Sequence, residues 1–209
     1  MDISNITVNA HSSILINAGK KIYFDPFEIE AETHDADFIF ITHDHYDHYS
    51  VKDINKIIAK KTVFIIPAPM EKKVGKDYAD NKTVSVIPGQ KYETADFSFE
   101  TVPAYNIAKP FHSKRAGWCG YVVNIENVKT YVAGDIDAIN EAKELKCDIA
   151  LIPIGGTYTM NYKEAAKLIN VMQPEAAIPT HYGSIIGSSS DGAKFKELVD
   201  ESIDVNIKL

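Results

Sequence analysis

Apolar residues along this chain fall in short blocks, so the elements they predict are mostly strands. Asn5 to Asn9, Ser13 to Asn17 and Lys21 to Phe24 are short stretches of mixed polarity, the last stopped by Asp25-Pro26. Asp37 to Thr42 is a continuous apolar run, the pattern of a strand covered on both faces. After residue 50 the period changes. Val51, Ile54, Ile57 and Ile58 share a helical face over 51–61, with Ser50 as N-cap and Asp53 three residues on. Thr62 to Ile66 predicts a strand broken by Pro67 and Pro69, and a short helix follows over 70–78. Strands are predicted at 83–87, 91–94 and 97–102, then a polar and aromatic loop over 109–120. Tyr121 to Ile125 and Lys129 to Ala133 form a hairpin turning at Glu126-Asn127. Beyond it, strands at 148–154 and 176–180 alternate with helices at 139–145, 161–172 and 193–199.

This order, a β-rich half followed by alternating strand and helix, predicts an α+β chain with two sheets face to face and helices outside. A single domain over residues 1–209 is expected. A chain this long buries roughly 70% of its unfolded surface, so it needs neither a disulfide nor a metal to hold a core. The net charge of −7 argues against nucleic acid or an anionic membrane as partner. A small-molecule substrate fits better, and an oligomer is allowed but unmarked. No apolar run approaches the roughly 20 residues of a spanning helix, so membrane insertion is not expected. The opening residues MDISNITVNA show no secretory pattern, and Cys119 and Cys147 have no paired spacing. The cytoplasm, with both thiols reduced, is the expected compartment.

The chemistry concentrates where the 37–42 strand ends. Three of the seven histidines fall in His43-Asp44-His45-Tyr46-Asp47-His48. Imidazole with carboxylate suits zinc, manganese or iron better than calcium or magnesium, and zinc is the first expectation.

This cluster resembles the HxHxDH signature of the metallo-β-lactamase superfamily. His11-Ser12-Ser13 and Phe24-Asp25-Pro26-Phe27 resemble its opening strands, Gly134-Asp135-Ile136-Asp137 and Pro179-Thr180-His181-Tyr182-Gly183 resemble its later motifs, and all occur in its order. The resemblance is greatest to the compact branch of ascorbate-6-phosphate lactonase-like and N-acyl phosphatidylethanolamine phospholipase D-like hydrolases. It implies an αβ/βα four-layer sandwich with one or two bound ions. His43 and His45 would hold one metal, Asp47, His48 and His181 a second, and Asp135 would bridge them. Where the family usually places a further histidine, Val102-Pro103-Ala104-Tyr105-Asn106 ends in asparagine. Either His112 reaches back from its loop, or the first site lacks its third imidazole.

The implied activity is hydrolysis of a small ester, lactone or phosphodiester. A bound cation brings the pKa of its water from about 15.7 to about 7, and the resulting hydroxide attacks. Asp47 and Asp135 are the expected catalytic carboxylates, with Asp47 orienting the hydroxide or returning its proton. The alternative is a metal-binding or di-iron redox protein of the same fold. Redox relatives, however, carry glutamate where this chain has His45. His11, Asp25 and Asp137 are candidates to touch the ligands or the substrate, and Asp137 is equally able to cap the helix near 139. Lys109, Lys114 and Arg115, beside Phe111 and Trp118, suggest an anionic group on the substrate. Gly155-Gly156-Thr157-Tyr158 is a candidate wall, and 183–190 a lip over the site.

Overall fold

Alternation along the strands sorts their side chains into two layers of core. In the 36–40 strand Phe38 and Phe40 point to one core and Ile39 to another, which is why the run reads as unbroken apolar sequence. The structure, a computed structural model, describes residues 2–209. Its first sheet has the order β1 (Ile6–Ala10), β2 (Ser13–Asn17), β3 (Lys21–Phe24), β4 (Ala36–Phe40), β5 (Ile58–Pro67) and β6 (Lys82–Val86). The second sheet contains β7 (Lys91–Glu93), β8 (Ser98–Pro103), β9 (Cys119–Ile125), β10 (Val128–Val132), β11 (Ile149–Pro153), β12 (Ala176–Thr180) and β13 (Asp204–Val205), in the order 13-12-11-10-9-8-7. Both sheets are mixed: β3 to β6 and β10 to β13 run parallel, and the remaining neighbours antiparallel.

Phe24, Phe40, Phe99 and Tyr121 pack between the sheets. Helices α1 (Val51–Ile57) and α2 (Glu71–Asp77) cover the outer face of the first sheet through Ile54, Ile57 and Val74. Helices α3 (Asn140–Lys143), α4 (Tyr162–Met172) and α5 (Asp191–Lys196) cover the second sheet, with Leu168, Ile169 and Phe195 buried. The result is the expected four-layer αβ/βα sandwich.

Three local expectations are corrected. The helix from 51 stops at Ile57, and Ile58 begins β5 by pairing with Ala36. Thr62 Oγ1 fixes that register by donating to Ala36 O at 2.6 Å while accepting from Ala59 N at 2.8 Å. A half-buried isoleucine satisfies either pattern, so pairing with β4 decides. Residues 119 and 120 leave the predicted loop and join β9, where a Cβ on Gly120 would meet Ala133 O at 2.5 Å. The two-residue β13 was not expected; it is too short to show a period.

Strands β1, β3, β4, β8, β10, β11 and β12 all run the same way within their sheets. Their carboxyl ends deliver His11, Asp25, His43 to His48, Asn106, Asp135, Gly155 and His181 to one edge of the sandwich. Ligand sites in sheets with parallel strands form at such ends.

Candidate metal centre

The centre begins with Asp25, which is fully buried. Its carboxylate accepts from Thr42 N at 2.8 Å, from Thr42 Oγ1 at 2.6 Å and from His48 Nδ1 at 2.7 Å. The His48 proton therefore sits on Nδ1, and Nε2 is free to face the cavity. Thr42 Oγ1 gives its hydrogen to Asp25, so it accepts from His43 Nδ1 at 3.0 Å and leaves His43 Nε2 unprotonated, 3.1 Å from His45 Nδ1. One carboxylate thus orients two rings, the arrangement that metal-binding imidazoles require.

Two groups of donors result. His43, His45 and His112 form one; Asp47, His48 and His181, with His11 beside them, form the other. Asp135 lies between. Its Oδ2 is 3.2 Å from both His112 Nε2 and His181 Nε2 and 3.9 Å from His43 Nε2, while Oδ1 is 3.3 Å from His48 Nε2. Gly134 makes this turn with φ 66°, and a Cβ there would meet the Thr42 side chain at 2.9 Å. Gly155 lies as close to the other wall: a Cβ there would overlap the His181 carbonyl oxygen.

Of the candidates for the open third imidazole, the structure brings His112 beside His43 and His45, with ring centroids 5.0 and 4.8 Å apart. Asn106 stands behind it. The Asn106 N–H donates to His112 O at 2.8 Å, and its side-chain Nδ2 donates to Tyr158 O at 2.7 Å and lies 3.2 Å from His112 Nδ1. The loop therefore folds back on Asn106 and carries the histidine inward.

These groups fit a cation pair. Of twelve buried side-chain nitrogen and oxygen atoms without a hydrogen-bond partner among the described residues, seven belong to His11, His48, His112, Asp135 and His181. Their contacts reach 3.2 Å without hydrogen-bond alignment, so the atoms converge on points in space rather than on each other. Leaving such atoms unpaired costs about 1–3 kcal/mol each, a debt that a bound cation removes. His11, Asp25, His112 and His181 all hold left-handed backbone, with φ between 44° and 58°. That conformation costs a non-glycine residue of order 1–3 kcal/mol and concentrates at functional sites.

The electrostatics follow from burial. It holds His43 well below the ordinary imidazole value and lowers His11 and His45 in the same direction. At His48 burial acts the same way, but the charges of Asp135 and Asp25 outweigh it and raise the ring well above that value. Burial would raise Asp47, yet His11 at 3.2 Å and the His48 charge bring it to about 2. Asp135 is held well below the ordinary carboxylate range because His181 and His48 outweigh its burial. Burial pushes the Cys119 and Cys147 thiols up to about 12, and neither forms a disulfide.

Several expected contacts are absent. Asp137 neither caps α3 nor reaches the centre; it accepts from Ile107 N at 2.9 Å and pairs with Lys109. Lys114 pairs with Glu141 at 2.8 Å, and Arg115 is exposed and outside the cavity lining. Lys109 and Lys114 are therefore held by partners 28 and 27 residues away, and none of the three basic side chains lines the cavity. Trp118 packs its ring 5.0–5.6 Å from those of His43, His45 and His112, as a backing and not as a wall. Tyr158 does line the cavity. Thr42, Tyr46 and Ile185 were not anticipated. Thr42 carried the one available signal, a hydroxyl residue immediately before His43.

Comparison with known proteins gives the family. The sequence model of the beta-lactamase superfamily domain matches residues 5–181. The chain is 32% identical to a metal-dependent hydrolase of Thermococcus onnurineus, over 94% of this chain and 92% of that one. Among solved structures, a protein of Parabacteroides distasonis described as a candidate metal-dependent hydrolase superposes with a TM-score of 0.82 at 31% identity, covering 98% of this chain and 92% of the other. CmlA, a diiron beta-hydroxylase of Streptomyces venezuelae, gives a TM-score of 0.76 at 12% identity, over 98% of this chain and 52% of its own; this likeness concerns the fold alone. The chain belongs to the metallo-β-lactamase superfamily.

Proposed function

We propose that this chain is a metal-dependent hydrolase of a small ester, lactone or phosphodiester. His43, His45 and His112 hold one cation, Asp47, His48 and His181 hold the other, and Asp135 contributes to both. The observation that carries this reading is the convergence of Asp135 and the rings of His43, His48, His112 and His181 within 3.2–3.9 Å, with Nε2 of His48, His112 and His181 and Oδ1 of Asp135 buried and otherwise unpartnered. The names of the relatives at 31–32% identity support it. An imidazole-rich set with two carboxylates and no thiolate favours zinc, with manganese and iron as the next candidates.

Bound there, the cations supply Lewis acidity and a water activated near neutral pH. The chain supplies position. Asp25 fixes His48 directly and His43 through Thr42. Asn106 holds His112. Asp47 lines the cavity and is supported by His11, so its carboxylate is the group that meets and orients an incoming water. A small-molecule substrate is part of the reading, supported by the net charge of −7, which disfavours nucleic acid as partner; the cytoplasm is the compartment that goes with it. No helix among the described residues is long and apolar enough to cross a membrane.

The test is a panel of 4-nitrophenyl acetate, a δ-lactone and bis(4-nitrophenyl) phosphate. At least one is cleaved by zinc-loaded protein; dipicolinate lowers the rate at least 100-fold, and added zinc restores it. Zinc binding also changes the emission of Trp118, the single tryptophan, which lies against three of the ligand rings. Fully loaded protein that cleaves none of the three contradicts the reading.

A further inference from the structure

The centre opens into a cavity of about 320 Å3, small for a ligand site. Beyond the donor residues its wall is Tyr46, Phe111, Tyr158 and Ile185. All four are large and apolar or aromatic, and all remain exposed, from 37% at Tyr158 to 68% at Tyr46. A converging set of exposed apolar side chains marks a binding surface. Phe111 and Tyr158 come from different loops yet meet edge to face at 4.9 Å, and Phe27 supports Tyr46 at 6.2 Å. The wall is therefore built before any ligand arrives. It also carries no charge. Of the basic residues near Phe111, Lys109 pairs with Asp137 and Lys114 with Glu141, and Arg115 lies outside the cavity lining. An anionic group seated on this wall would lose part of its water and gain no charged partner.

We infer that the substrate places an uncharged apolar group, the size of a phenyl ring or a short acyl chain, against Tyr46, Phe111, Tyr158 and Ile185. The bond to be cleaved then lies over the centre. This rests on the hydrolase reading and narrows it: the anionic substrate suggested by the basic loop is replaced by a neutral one.

The test compares 4-nitrophenyl hexanoate with 4-nitrophenyl hemiadipate, which share a leaving group and a six-carbon acyl chain but differ by one terminal carboxylate. With zinc-loaded protein, kcat/KM for the hexanoate is at least 10-fold higher. Phe111→Ala and Tyr158→Ala each reduce it at least 5-fold, mainly through KM, with unchanged zinc content and thermal midpoint. Ile185→Lys shifts the ratio at least 10-fold toward the hemiadipate. In parallel, binding of 4-nitroacetophenone is read by quenching of Trp118 and weakens at least 5-fold in both alanine variants. Equal use of the two esters, or variants that leave both readouts unchanged, overturns the inference. If neither ester is cleaved while 4-nitroacetophenone binds the wild type and not the variants, the hydrolase reading fails and the apolar wall stands.

Discussion

Replacing Asp135 with alanine lowers kcat/KM at least 1000-fold and weakens cation binding in both halves of the centre. The reason is its position between the two donor groups, with Oδ2 facing His43, His112 and His181 and Oδ1 facing His48. No other carboxylate among the described residues lies within 4.0 Å of imidazoles from both groups. Two neighbouring cations repel, and a shared carboxylate offsets that repulsion. A 1000-fold loss corresponds to about 4 kcal/mol of transition-state stabilisation. Asp135→Asn keeps the volume and loses the charge, so it separates electrostatics from packing and falls near the alanine variant. Steady-state kinetics with saturating zinc, together with equilibrium dialysis, measure both effects. A loss under 10-fold would remove Asp135 from the centre.

Asp25→Ala has the largest expected effect on stability. The carboxylate is completely buried and accepts three hydrogen bonds, so its removal strands the Thr42 amide, the Thr42 hydroxyl and the His48 ring. Such a loss costs about 3–5 kcal/mol. For a chain of this size that lowers the thermal midpoint by roughly 6–20 °C. The left-handed backbone at Asp25, φ 44°, adds to the cost for alanine. Zinc affinity falls about 10–100-fold because His48 loses its acceptor and the Thr42 hydroxyl that orients His43 loses the carboxylate that fixes its direction. Asp25→Asn retains an acceptor for the Thr42 amide and suffers less on both counts. Calorimetry of the zinc-free variants and zinc titration of the folded ones measure the two effects. A variant with wild-type stability and affinity would show that the Asp25–Thr42 relay orients nothing.

What the sequence revealed depended on whether a feature was local. His43, His45, Asp47 and His48 lie within six residues after a strongly apolar strand, so their clustering needs no knowledge of the rest of the chain. The placement of His112 was open because it depends on the path of a loop. That path is set by two bonds at Asn106, the residue whose identity had made the site look incomplete. The basic loop misled for the converse reason: three positive charges are visible in sequence, but Asp137 and Glu141, which take up Lys109 and Lys114, lie across a long separation. The left-handed backbone at His11, Asp25, His112 and His181 has no pattern in the sequence, since any of these residue types also occupies ordinary conformations. The apolar wall was half legible. Phe111 and Tyr158 drew attention through their neighbours, but Tyr46 stood unnoticed inside the histidine cluster, and Ile185 inside a segment read only as a lip.

The central claim is a two-cation centre completed by His112, and its most direct measurement is the metal content of protein purified without chelators. Elemental analysis of the wild type and of His112→Ala should give close to two equivalents of transition metal falling to close to one, with the second group of donors still filled. One equivalent in both proteins would contradict the role of His112 and leave only the Asp47, His48 and His181 group occupied. No metal in either, with added zinc, manganese and iron also failing to bind, would contradict the account as a whole.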